Sequence, residues 1–246
     1  MQIYSIKLKL SSKEEIKNNF YYSILGAVLN IFKNDIEIYN SILSISPLIK
    51  INLEKKEYLI KISILWKKNF DKIISEILSE KKQISLDNKI FEIEGINFDF
   101  KIFDLEKIVF NDFSFIELQF LSPSFVKEKI NDKQINYYLP ESSIFLSSII
   151  RKFFKIYNIE NNDFLLKIKE KFRENVIISK FDIHTKKIKL KDWIKAWVVG
   201  NIKYNLIWEF TKEEKEILYK AIRFINFASF GNWTKLGLGQ IKARVY

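Results

Sequence analysis

The chain has 246 residues, is 48% hydrophobic and contains no cysteine, and its 41 Lys+Arg against 30 Asp+Glu give a formal net charge of +11. That length and apolar fraction suit one large or two small packed domains and exclude a disordered chain, while the lack of thiols excludes disulfides, zinc-thiolate sites and cysteine nucleophiles and fits a cytoplasmic protein. The positive surplus favours a polyanionic partner, but arginine occurs only at Arg151, Arg173, Arg223 and Arg244, so where the lysines cluster says more than their total.

Gln2 to Leu10 alternates apolar and polar residues and predicts a strand. Ser12 to Glu15 has the spacing of a capping box, and Ile16, Phe20, Ile24, Ala27, Val28 and Ile31 follow at helical intervals. The uncharged run Asn18 to Phe32 contains Asn, Tyr and Ser and falls short of the roughly 20 residues of a membrane span. A strand pattern that starts beside Met1 leaves no leader-like segment, so no membrane is expected. A short helical or irregular stretch around residues 36–43 precedes two strands, Pro47 to Leu53 and Tyr58 to Leu65, parted by the charged turn Glu54 to Glu57. Asn69 opens a second helix that runs to Lys81, and Ile96 to Phe103 alternates again.

The order β-α-β-β-α-β then recurs. Phe113 to Leu121 is a strand ended by Ser122-Pro123-Ser124, and Pro140-Glu141 starts a helix bearing Ile144, Phe145, Ile149, Phe153 and Ile156. Val176 to Ile183, Lys186 to Leu190 and Asn201 to Phe210 are extended. Thr211 to Glu214 is a second capping box, opening a helix to Phe227, and Ile241 to Tyr246 closes the series as a strand. The fold class expected is therefore α+β, a tandem ferredoxin-like (RRM-like) arrangement with one domain over residues 1–106 and the other over 107–246.

Residues 228–246 hold three of the six glycines, Gly231, Gly237 and Gly239, threaded with Trp233, Lys235, Lys242 and Arg244. Glycine permits φ > 0 and a close backbone approach, so this loop is either a phosphate-gripping surface or an ordinary turn into an edge strand. A second basic stretch, Lys180 to Lys203, carries seven lysines against Asp182 and Asp192. Lys187, Lys191 and Lys195 in it are candidate nucleic-acid contacts. Trp193 and Trp197 beside them have two readings, stacking on bases or packing a core.

Three blocks in order, Phe120-Leu-Ser-Pro-Ser-Phe125, Leu139-Pro140-Glu-Ser-Ser-Ile144-Phe145 and the Phe224 to Gly239 loop, resemble the CRISPR repeat-processing endoribonucleases of the RAMP (repeat-associated mysterious protein) superfamily. The resemblance runs end to end. It implies tandem ferredoxin-like domains, binding of CRISPR repeat RNA, with Lys187, Lys191 and Lys195 then as RNA contacts, and cleavage within the repeat without metal or cofactor to release guide RNAs. It also leaves room for other effector subunits or a homodimer as partners.

Metal-free RNA cleavage needs help removing the 2′-OH proton, balancing phosphoryl charge and protonating the leaving 5′-oxygen. The resemblance implies a histidine just after the first helix, where this chain has Tyr39-Asn40-Ser41 instead. Its single histidine, His184, lies in the second repeat and has three readings: catalytic, RNA-contacting, or an ordinary strand-end residue. By analogy of position Tyr39 and Lys50 are the other catalytic candidates. Glu92, Glu94 and Asp99 read as a solvated hairpin face, and no metal site is expected. A non-catalytic repeat-RNA-binding subunit is the alternative.

Overall fold

The computed structural model describes residues 2–13, 21–32, 36–52, 54–65, 83–86, 89–103, 105, 107–130, 133–190, 193–207, 210–231, 234–236 and 238–246. By internal contact the chain forms two units, Met1–Asp104 with Trp233–Leu238, and Leu105–Asn232 with Gly239–Tyr246. The division read from the sequence assigns the whole glycine-rich loop to the second domain; by packing, Trp233–Leu238 belongs with the first.

The first unit runs β1 (Gln2–Ser12), α1 (Tyr21–Ile31), α2 (Ile36–Ser41), β2 (Ile42–Ile45), β3 (Ile49–Asn52), β4 (Glu57–Leu65), β5 (Gln83–Leu86) and β6 (Lys89–Ile102). Its antiparallel sheet has the order β2-β4-β1-β6-β5, with β3 also on β4. Ile6 and Leu8 of β1 stand opposite Ile62 and Ile60 of β4, and the core they form includes Ile24, Val28 and Ile31 of α1, the helical positions expected from the sequence. Two elements differ from expectation. Residues 36–45 divide into a short helix and a strand, because Ile42 to Ile45 is buried throughout and a strand covered on both faces shows no alternation to read. The last strand begins at Lys89 rather than Ile96 and is paired by β5. The first capping box beyond Lys13 and the helix expected at 69–81 lie outside the described residues.

The second unit runs β7 (Phe115–Ser124), β8 (Val126–Ile130), β9 (Lys133–Tyr137), α3 (Ser142–Tyr157), α4 (Asn162–Asn175), β10 (Val176–Leu190), β11 (Trp193–Leu206), α5 (Lys212–Ala228) and β12 (Ile241–Val245). Its antiparallel sheet has the order β10-β11-β7-β12. In the first sheet the opening strand β1 sits between β4 and β6, and in the second β7 sits between β11 and β12, the central position the opening strand takes in a ferredoxin-like fold. One face of the second sheet carries Ile116, Leu118, Phe120, Ile202, Tyr204, Ile241 and Ala243, all buried with the apolar stripes of α3 and α5. The Tyr204 hydroxyl donates to Pro140 O at 2.6 Å, fixing the start of α3 to the sheet. Trp197 is fully buried, edge-on to Phe125 with centroids 4.3 Å apart, which settles its role as packing. Thr211 and Glu214 complete both bonds of the expected capping box at α5. Among the described residues no helix is long and apolar enough to cross a membrane.

Candidate nucleic-acid interface

Strand alternation that sends apolar residues to the core leaves the opposite face of the second sheet polar. Register lines its side chains into rows across four strands. Lys180 of β10 pairs with Lys203 of β11, which pairs with Glu117 of β7, which pairs with Arg244 of β12. The next row is Asp182, Asn201, Gln119 and Lys242. On the other side of the charged row, Asn205 pairs with Phe115, whose backbone bonds to that of Tyr246. These two rows hold four cations against two carboxylates, and three of the cations, Lys180, Lys203 and Arg244, line a basin of about 870 Å³ with Glu117 and Asp182.

Much of the basin is already tied together. Lys203 Nζ lies 4.0 Å from the centroid of the Phe115 ring, a cation–π contact that holds the ammonium over the sheet. The Tyr246 hydroxyl donates to Glu117 Oε2 at 3.0 Å, and Arg244 Nη1 stands 3.6 Å from the same oxygen. Glu117 is therefore balanced within the face. Lys180, Lys203 and Lys242 remain as the positive charge it presents, a surface on which a single strand of RNA can lay its phosphates.

Of the residues singled out in the sequence, the structure brings Lys242 and Arg244 together on this face. Lys180, Lys203, Phe115, Glu117 and Tyr246 complete it. Their polar half of each period-2 pattern is visible in the sequence, but only the strand order reveals that four separate segments share one surface. His184 follows Asp182 by two residues on β10, exposed and in register with Val199. Lys187 is exposed further along the same strand. Lys191, Trp233 and Gly237 lie outside the described residues, as does the side chain of Lys195. Lys50 is exposed on β3 of the first unit, while Tyr39 belongs to α2 with its side chain outside the described set.

The glycine-rich loop is closed at its neck. Gly231 has φ +74° and Gly239 φ +71°, and a Cβ on Gly231 would overlap the Phe125 carbonyl oxygen. Phe230 N donates to Gly239 O at 2.7 Å, and Gly239 N donates to Pro123 O at 2.9 Å. The Gly239 N–H is thus committed to the fold, and its glycine serves the turn. Lys152 of α3 reaches the same neck, donating to Ala228 O at 2.6 Å and Ser229 O at 3.0 Å, and burial pulls its pKa down to about 7. Within the first unit, the Thr234 hydroxyl donates to Leu43 O at 3.1 Å. Neighbouring Lys235 is half-buried, and that burial holds its ammonium below the ordinary lysine pKa. Among the described residues no group of three or more His, Asp or Glu is gathered so as to hold a metal ion.

No protein-family model and no curated protein matches the sequence. Solved structures do. A Cas6 product complex is 13% identical over 99% of this chain and 99% of its own, with a TM-score of 0.80. A Thermus thermophilus Cas6 is 12% identical over 99% and 98%, TM-score 0.73. A RAMP protein binding different RNA substrates is 14% identical over 98% and 99%, TM-score 0.62. The chain therefore has the α+β double ferredoxin-like fold of Cas6 and RAMP proteins, the proteins its sequence resembles, along nearly its whole length.

Proposed function

We propose that this chain binds CRISPR repeat RNA and cuts it within the repeat, without metal or cofactor, to release guide RNAs. The observation that carries this reading is the end-to-end likeness to a Cas6 product complex at a TM-score of 0.80. The cationic open face of the second sheet supports the RNA-binding part independently.

In the reaction the 2′-oxygen bonds to the adjacent phosphorus while the bond to the 5′-oxygen breaks. A base takes the 2′ proton and an acid returns one to the leaving oxygen, giving a 2′,3′-cyclic phosphate and a free 5′-hydroxyl. Lys50 is suited to balance charge on the phosphoryl oxygens, and Tyr39 to orient the substrate. A reaction that relies on orientation and charge balance without a histidine as acid or base is slow.

A second reading has one observation in its favour. The position after the first helix lacks a histidine and the single His184 lies on β10, as suits a non-catalytic repeat-RNA-binding member or a subunit of a guide-RNA complex. Labelled repeat RNA incubated with the protein in excess chelator decides between them. The proposal expects one discrete cut with a cyclic phosphate on the upstream fragment. Bound, intact RNA selects the second reading, and cleavage that requires added Mg²⁺ removes the mechanism.

A further inference from the structure

We propose that the basin on the open face of the second sheet reads one unpaired guanine of the bound strand, an inference that rests on the RNA-binding reading above. The groups that would do so are Lys180 and Asp182, neighbours on the exposed face of β10. Unlike Glu117, Asp182 has no polar partner among the described residues, and neither has Lys180; the two are not paired with each other. Opposite charges two residues apart on one strand face stand about 6.8 Å apart along the strand, too far to bond directly without bending toward each other. Their placement is fixed by the backbone beneath them. Gly200 of β11 has φ +116°, and a Cβ there would overlap Asp182 O, so the two strands approach at Asp182 as only glycine permits.

An ionised carboxylate only accepts hydrogen bonds and an ammonium only donates them. Guanine alone among the four bases presents two adjacent N–H donors, at N1 and N2, next to a carbonyl acceptor, O6. Asp182 matches the first pair and Lys180 the carbonyl. Adenine and cytosine offer the carboxylate one exocyclic donor beside a bare ring nitrogen that repels it. Uracil flanks its one N–H with two carbonyls. Recognition of this edge requires that the base be unpaired, which is how a sheet face reads RNA. Lys203, one strand inward, then lies on the side where the nucleotide phosphate is drawn.

The test uses the full chain and labelled nonamers of uridine with G, inosine, A or U at the centre, measured by fluorescence anisotropy. The G nonamer is expected to bind about tenfold more tightly than the A or U nonamer, the size of one bidentate base contact, with inosine, which lacks the N2 amine, between them. Asp182→Asn makes the G and all-uridine nonamers bind alike, with the all-uridine affinity raised by the lost negative charge. Equal binding of all four nonamers by the unaltered chain, or a preference that survives in Asp182→Asn, overturns the guanine assignment while leaving RNA binding standing. No binding of any nonamer overturns both. Free GMP competing at the same concentration as the G nonamer overturns the strand reading in favour of a mononucleotide site.

Discussion

Lys203 and Arg244 flank Glu117 on adjacent strands, and their two charges stand differently toward an incoming phosphate. Arg244 is partly neutralised by Glu117, whereas the Lys203 ammonium has, among the described residues, only the Phe115 ring beneath it. Lys203→Ala is therefore expected to weaken RNA binding and lower the slope of log affinity against log salt by about one unit, the share of one phosphate contact. Arg244→Ala should change the slope less, because it also frees the Glu117 carboxylate. Titrations between about 50 and 200 mM salt measure both, and equal slopes for all three proteins would place the strand elsewhere. His184 calls for a separate experiment. Exposed on β10 and absent from the position implied by the resemblance, it should be dispensable: His184→Ala is expected to keep most of the single-turnover cleavage rate, and a fall of roughly 10²-fold or more would make it a general acid or base.

Helix ends carry two further expectations. Thr211 accepts from Glu214 N while the Glu214 carboxylate accepts from Thr211 N, and the same carboxylate pairs with Lys171 of α4 at 2.8 Å. Thr211→Ala, losing one cap bond, should cost about 1 kcal/mol in denaturant unfolding, and no change would mean the N-terminus of α5 is held by its packing alone. At the other end of α5, Lys152 sits against the last carbonyls with its pKa depressed by burial to about 7. An unfolded lysine keeps its proton to about pH 10.4. Between those values the unfolded chain binds more protons than the folded one, so this group makes stability rise with pH; below about 7 both forms are protonated and its slope vanishes. Thermal melts of the unaltered chain and of Lys152→Met should therefore diverge in favour of the unaltered chain as pH is raised from 7 to 10, and parallel curves would show that Lys152 does not titrate in that range.

Across the whole molecule, local patterns in the sequence foretell what local forces decide. The α1 core face, the Thr211 capping box and the tandem strand order are read from periodicity and cap chemistry that depend on neighbours a few residues away. Residues 42–45 escape because burial on both faces erases alternation, whereas α4 carries a stripe that the sequence does display, Phe164, Ile168 and Phe172 at four-residue spacing behind the Asn161 cap. The candidate site is half legible for the same reason: Lys242 and Arg244 stand out in a basic terminal segment, while Lys203, Glu117 and Phe115 acquire meaning only when strands far apart in the chain become neighbours. The excursion of Trp233–Leu238 has a consequence of its own. The chain passes from one unit to the other three times, at residues 104/105, 232/233 and 238/239, so the molecule is stitched rather than strung. Cutting one stitch does not free a finished part. Residues 1–104 made alone lack the segment that supplies the Thr234 hydroxyl to Leu43, whereas the complementary fragment 105–246 carries it. The two fragments expressed together should copurify and the first expressed alone should fold poorly; a soluble, cooperatively melting 1–104 fragment would show that the seam is ornamental.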